Sequence, residues 1–172
     1  MLIRRLHPND AADYRALRLR GFREHPESFT SSYEEEVLKP VAYAEQRLDT
    51  ASSGRFWGAY AGGLLVGVVG LDSEQRIKNR HKATVIGMYV APECARQGIG
   101  RALIDALLAE ASAGDLELLV LTVTHGNDGA EKLYLGMGFQ SFGIEPGAIK
   151  VENRLYDKNH MYLSLKQGPA SL

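Results

Sequence analysis

Two stretches of this 172-residue chain place useful residue types at useful spacings. The first reads Met88-Tyr89-Val90-Ala91-Pro92-Glu93-Cys94-Ala95-Arg96-Gln97-Gly98-Ile99-Gly100-Arg101-Ala102-Leu103. It runs from a β-prone segment through a glycine-containing turn into an amphipathic helical pattern. Gly98 and Gly100 put no side chain over the helix start. Free backbone N–H groups and the positive end of the helix dipole would therefore face a bound anion. Arg96 and Arg101 add charge beside it, which suits a pyrophosphate. A dinucleotide fingerprint would need glycine or alanine where Leu103 stands, and the turn comes after residue 90, leaving too little chain for such a sheet. The competing reading is a helix start that uses glycine for packing alone.

The second stretch runs from Thr122 to Phe139. Asn127 sits at a helix N-cap position. Tyr134 follows two helical turns down the same side, and by itself it reads as a core aromatic with its hydroxyl at the rim. Cys94 has no partner base beside it. His7, His25, His81, His125 and His160 show no metal-ligand spacing, so no metal site is expected.

Elements must hold these stretches in place. Met1 to Leu6 reads as an edge strand. Pro8-Asn9-Asp10 marks a helix start capped by Asn9 or Asp10, with Tyr14, Leu17, Gly21 and Phe22 at helical spacing and Pro26 as the stop. Ser28 to Ser32 reads as loop, with Glu34, Glu35 and Glu36 in its continuation, and Val41 to Leu48 as a second helix. Arg55 to Ala61 and Leu64 to Leu71 flank Gly62-Gly63, a hairpin signal. Lys82 to Val90 is a strand stopped by Pro92. Ile99, Leu103, Ala106 and Leu107 share a helix face that Gly114 closes. Leu116 to Val123 is a near-continuous apolar strand. A helix follows from Asn127, with Ala130, Leu133, Tyr134 and Met137 on one face and Gly138 as its cap. Phe139 begins a final strand pair ending near Leu165, and the last seven residues read as a frayed tail. The order β-α-α-β-β-β-α-β-α-β-β predicts one α/β domain over residues 1–172, a mixed sheet with helices on its faces.

Composition bounds the function. The chain is 45% hydrophobic and 24% charged, as an ordinary globular domain is. Twenty basic residues against twenty-one acidic ones leave a net charge of −1, which argues against a nucleic-acid partner. The single cysteine excludes an intrachain disulfide and a thiolate metal cluster. The longest uncharged stretch, Phe56 to Leu71, contains five glycines and reads as two strands rather than a membrane span. With no targeting segment legible at the N-terminus, a cytoplasmic location is the expectation.

Together the two stretches resemble the GNAT superfamily of acyl-CoA-dependent N-acetyltransferases. The first matches its pyrophosphate-binding motif. The second matches its following motif: an Asn, an Ala three residues on, Leu-Tyr, and a closing Gly-Phe. The resemblance covers roughly Leu2 to Leu165, and its specific part is Met88 to Phe139. One departure is Ala95, where the family usually has Arg or Gln; Arg96 is the nearest substitute.

The resemblance implies a mostly antiparallel sheet of six to seven strands, with a V-shaped splay between the strands ending near Val90 and Val123. Acetyl-CoA would lie there as acyl donor, against Met88, Tyr89, Val90, Arg96, Gln97, Gly98, Ile99, Gly100, Arg101, Ala102 and Asn127. A backbone N–H near Met88 or Tyr89 would face the thioester oxygen. A primary amine, on a small molecule or a peptide, would attack directly in a ternary complex, with Tyr134 as general acid for the leaving thiolate. Many members carry a basic Glu on the strand before the glycine turn. Lys82 to Val90 contains no carboxylate, so His125 or one of Glu34, Glu35 and Glu36 becomes the candidate base.

Two rival readings keep the binding site without this reaction: an acyl-CoA-binding regulatory module and a CoA thioesterase. On the acceptor side, Glu34, Glu35, Glu36, Asp157 and His160 predict a preference for basic acceptors. The C-terminal strand pair, including His160-Met161-Tyr162-Leu163, is the candidate expected to pair across a two-fold axis in a homodimer.

Overall fold

Gly62 and Gly63 take φ values of +57° and +81°, the paired left-handed geometry of a two-residue hairpin turn. They join β2 (Gly54–Ala61) to β3 (Leu64–Ser73), with Ala61 opposite Leu64. In this computed structural model, which describes residues 1–166, that hairpin lies inside a seven-stranded sheet. The frayed-tail expectation falls mainly on residues outside the described ones.

The remaining strands are β1 (Leu2–Arg5), β4 (Lys82–Val90), β5 (Leu118–Thr124), β6 (Gln140–Val151) and β7 (Arg154–Ser164). The helices are α1 (Ala11–Glu24), α2 (Tyr33–Glu36), α3 (Val41–Leu48), α4 (Ile99–Ala113) and α5 (Asp128–Gly136). The strand order is β1-β2-β3-β4-β5-β7-β6, and β4–β5 is the parallel pairing in an otherwise antiparallel sheet. The expected mixed, mostly antiparallel architecture is therefore observed.

Val66 to Leu71 of β3 are buried without interruption, because helices cover both faces of the sheet. Positions three apart on β3 face opposite ways. Gly67 lies under Ile99 and Leu103 of α4, whereas Gly70 lies under Phe56, whose ring packs edge-on against Tyr14 of α1. Leu103, Ile104 and Leu107 make α4 the apolar lid of one face.

The parallel pairing of β4 with β5 lasts three residues, Lys82–Thr84 against Leu118–Val120, and then stops. Beyond it the strands diverge, leaving the expected V. The β3–β4 register also slips between Val68 and Gly70, so that β4 carries an extra residue near Gly87.

Three local expectations are corrected. Glu34, Glu35 and Glu36 are not in a loop: they form α2, because Ser32 Oγ accepts from the Glu35 N–H while the Glu35 carboxylate accepts from the Ser32 N–H. Asp10 precedes α1 without capping it. Its carboxylate accepts from the His7 N–H and from Arg4 instead. Of the C-terminal strand pair expected to pair across a two-fold axis, β7, which carries His160 to Leu163, lies between β5 and β6 and offers no edge. The free margin at that end of the sheet is β6.

Candidate functional site

The turn after β4 is pinned from α1. Arg20 holds Glu93 through two bonds of 2.7 and 2.8 Å, and the Tyr89 hydroxyl donates to Glu24 at 2.6 Å. Arg20 keeps the Glu93 carboxyl at about 2. Within the turn Arg96 has φ +61° and Gly98 φ +76°, so the chain coils into a concavity of the kind that presents N–H groups to anions. No side chain caps α4, and the first helical bond shown there runs from Ala102 N–H to the Gly98 carbonyl at 3.0 Å. The N–H groups of Ile99, Gly100 and Arg101 precede it and point out of the helix start.

The two glycines do different work. Nothing lies within 4 Å of where a Gly98 side chain would begin. At Gly100 a Cβ would meet Leu133 of α5 at 3.1 Å. Gly98 leaves the helix start uncovered, while Gly100 lets α4 and α5 pack closely, the packing role that the competing reading gave to glycine here.

This helix start opens on a cleft of about 580 Å³ that follows the V between β4 and β5. Met88, Tyr89, Val90, Asn127 and Tyr134 all line it, together with Arg96, Gly98, Ile99, Gly100 and Arg101. Asn127 caps α5 by accepting from the Ala130 N–H at 3.2 Å. Tyr134 is 5% exposed and packs edge-on against Phe139. Burial alone pushes its phenol well above the ordinary value, so the proton is retained throughout the neutral range.

A second cavity of about 300 Å³ lies between α1, α3 and the sheet. It shares Ser28, Phe29, Val85, Ile86, Gly87 and Thr122 with the cleft, so the two meet at the β4 bulge. The segment Glu27–Ser28 forms part of this junction. It is fixed from behind by buried Lys158, whose Nζ donates to the carbonyls of Glu27 and Ser28 and to Thr124 Oγ1.

Several expected site residues stand elsewhere. Gln97 points back to the Glu93 carbonyl, and the Ala102 N–H is taken within the helix; neither lines the cleft. His125 is exposed beside Glu131 at 3.2 Å and lies outside both cavities. Glu34 and Glu35 line neither cavity. Glu36 lines the smaller one, paired with Lys39 at 2.6 Å. Asp157 accepts from the Gly147 N–H, and His160 pairs with Glu145, both away from the cavities.

Sequence reasoning missed His25, the one imidazole lining the cleft, whose Nδ1 is 3.6 Å from Glu27. It also missed Arg18 and Arg47 in the smaller cavity. Their positions on the inner faces of α1 and α3, in register with Tyr14 and Ala44, were the available signal.

Comparison with known proteins agrees with this fold. The profile described as "Acetyltransferase (GNAT) family" matches residues 18–139. N-acetyltransferase 8F1 of Rattus norvegicus is 34% identical over 91 residues, 52% of this chain and 41% of that protein. UPF0157 protein YqkA of Bacillus subtilis is 34% identical over 90 residues, 24% of its length. The chain thus spans less than half of these curated relatives. Among solved structures, an acetyltransferase of the GNAT family from Streptococcus pneumoniae superposes with a TM-score of 0.87 at 25% identity, over 95% of this chain and 98% of that one. The acetyltransferase yncA from Salmonella typhimurium, described with its cofactor acetyl-CoA, superposes at 0.81 and 20% identity, over 99% and 97% of the two chains, a likeness of fold.

Proposed function

The chain belongs to the GNAT acetyltransferase family, and from that premise we propose that it transfers an acetyl group from acetyl-CoA to a primary amine by direct attack within a ternary complex. The observation that carries this reading is one cleft with an uncapped helix start at its mouth and a buried, protonated tyrosine in its wall. The donor set suits a pyrophosphate: outward N–H groups of Ile99, Gly100 and Arg101, the bare surface of Gly98, and the cations Arg96 and Arg101. Acetyl-CoA supplies the thioester, whose C–S bond breaks as the amine nitrogen forms a bond to the acetyl carbon.

The chain's own groups do the rest. The margins of β4 and β5 beyond Thr84 and Val120 lack each other as partners, which frees backbone groups for the pantetheine arm and for the carbonyl oxygen. Tyr134 donates its proton to the departing sulfur and is reprotonated from solvent. His25, steadied by Glu27, replaces His125 as the group that receives the amine proton.

The test combines two measurements on the purified chain. Acetyl-CoA at millimolar concentration raises the melting temperature by mass action. Thiol release from acetyl-CoA then depends on an added amine. No shift in melting overturns the reading. Binding without thiol release marks a regulatory module, and thiol release independent of amine marks a thioesterase.

A further inference from the structure

We propose that the acceptor amine carries a carboxylate, held between the guanidinium groups of Arg18 and Arg47 in the smaller cavity, so that the substrate is a free amino acid with an apolar side chain. This deepens the acetyltransferase reading above and rests on it.

Four cationic side chains, Arg15, Arg18, Lys39 and Arg47, line that cavity against a single carboxylate, Glu36. Two of the four are occupied by the protein itself. Arg15 donates from Nε and Nη2 to the carbonyls of Val37 and Lys39, tying α1 to the segment after α2. Lys39 is held by Glu36 at 2.6 Å.

Arg18 and Arg47 are different. Neither has a carboxylate within ion-pair distance among the described residues. Arg18 lies between the rings of Phe22 and Phe29, at 4.5 and 4.7 Å, and donates Nη1 to the Gly87 carbonyl. Arg47 sits over Phe56, and its Nε is buried without a hydrogen-bond acceptor among the described residues. The comparison with Arg5 is instructive. Its Nε is also without a partner, but its Nη1 is held by Glu110 at 2.8 Å.

Buried guanidinium charge without a counter-ion is costly, and the two groups also repel one another. Burial, with that repulsion adding to it, lowers the Arg18 pKa. Arg47 in turn holds the neighbouring Tyr43 phenol below its ordinary value. A planar carboxylate offers two lone-pair edges, which a guanidinium fork engages better than any neutral group.

Five aromatic rings, Tyr14, Phe22, Phe29, Tyr43 and Phe56, form much of the remaining wall beside aliphatic and hydroxyl side chains. They suit an apolar or aromatic side chain of the size that about 300 Å³ admits. Arg18 also stands at the junction of the two cavities through its bond to Gly87. A carboxylate bound there leaves an α-amine one carbon away, facing the β4 bulge where the thioester belongs. The acidic acceptor side expected from Glu34, Glu35 and Asp157 is thereby replaced by a cationic one.

The experiment measures thiol release from saturating acetyl-CoA with L-leucine and L-phenylalanine, each beside its amide and methyl ester, and with phenethylamine. The expected result is a kcat/KM at least tenfold higher for the free acids. Arg47→Gln raises KM for the acids at least tenfold, leaves the esters nearly unaffected, and Arg47→Lys restores part of the loss. Arg47 is chosen because substituting Arg18 would also release Gly87. Equal or better use of the amides, esters or phenethylamine overturns the proposal, as does an unchanged KM in Arg47→Gln. Should that variant not fold, the comparison of acid with ester on the native chain decides alone. Turnover of neutral amines with a normal acetyl-CoA melting shift sinks only the carboxylate, whereas binding without turnover of any panel amine sinks the carboxylate and marks the regulatory module. A missing shift sinks the acetyltransferase reading itself.

Discussion

Arg18 on α1 donates to the Gly87 carbonyl of β4 at 2.9 Å, so that one side chain ties a helix to the bulge where the two cavities meet. Gly87 has φ +64°, and its bulge interrupts the β3–β4 register beside the splay. The bond satisfies a carbonyl that the slipped register exposes and fixes the wall against which acceptor and acyl donor would be aligned.

Tyr134→Phe keeps the ring against Phe139 and removes the proton donor. Turnover is expected to fall by ~10²–10⁴-fold, with the melting temperature almost unchanged. Because burial raises the phenol's pKa, the native kcat shows no loss from Tyr134 ionisation as the pH is taken from 7 to about 10. Steady-state kinetics with calorimetric melting checks both. Full activity in the variant would return Tyr134 to the core.

Arg96 occupies a left-handed conformation that costs an L-residue roughly 1–2 kcal/mol. Arg96→Gly relieves that strain while losing about 0.4–1 kcal/mol through the unfolded chain, so stability of the free protein is held or slightly raised. Acetyl-CoA binding weakens about three- to tenfold and becomes less sensitive to salt. Titration calorimetry at two ionic strengths separates these effects. Weaker binding accompanied by a matching loss of stability would assign Arg96 to the fold.

His25 and His125 form a contrasting pair. His25→Asn lowers kcat/KM by about tenfold or more, as expected for a group that accepts the amine proton. His125→Asn, on the exposed rim beside Glu131, leaves kcat/KM within about twofold. The reverse pattern would restore His125 as base.

Asp10 accepts two bonds from Arg4, at 2.7 and 2.9 Å, and a third from the His7 N–H. The Arg4 bond is the main reason its carboxyl lies below the usual carboxylate range. A depressed folded pKa stabilises the protein fully above the unfolded value, near 4, and that contribution fades as pH falls through the folded value. Asp10→Asn therefore costs about 1–2 kcal/mol at pH 7, and the gap narrows below pH 4. Urea melts at pH 7, 4 and 2.5 provide the comparison. A constant gap would mean that the charge of Asp10 is not what matters.

Asn127, Ala130 and Tyr134 were legible in the sequence because they lie within two turns of one helix, where spacing alone fixes their common side. The turn from Arg96 to Arg101 was legible for the same reason. The hairpin followed from Gly62-Gly63, since few other pairs accept its backbone angles. These are short-range consequences of backbone geometry, and they suffice to indicate an uncapped helix start and the strands around it.

The acceptor side was decided only by tertiary structure. Glu34, Glu35 and Glu36 read as an acidic surface, but a capping box takes Glu35, a lysine takes Glu36, and the packing of α1 and α3 on the sheet supplies Arg18 and Arg47 instead. Each arginine taken singly looks like a solvated charge. What makes them a pair is the crossing of two helices that are separate in sequence. His160 was likewise misplaced because strand order is not chain order: β7 inserts between β5 and β6. Side chains brought together by long-range packing leave no periodic trace in the chain, so their combined charge emerges only when the helices meet the sheet.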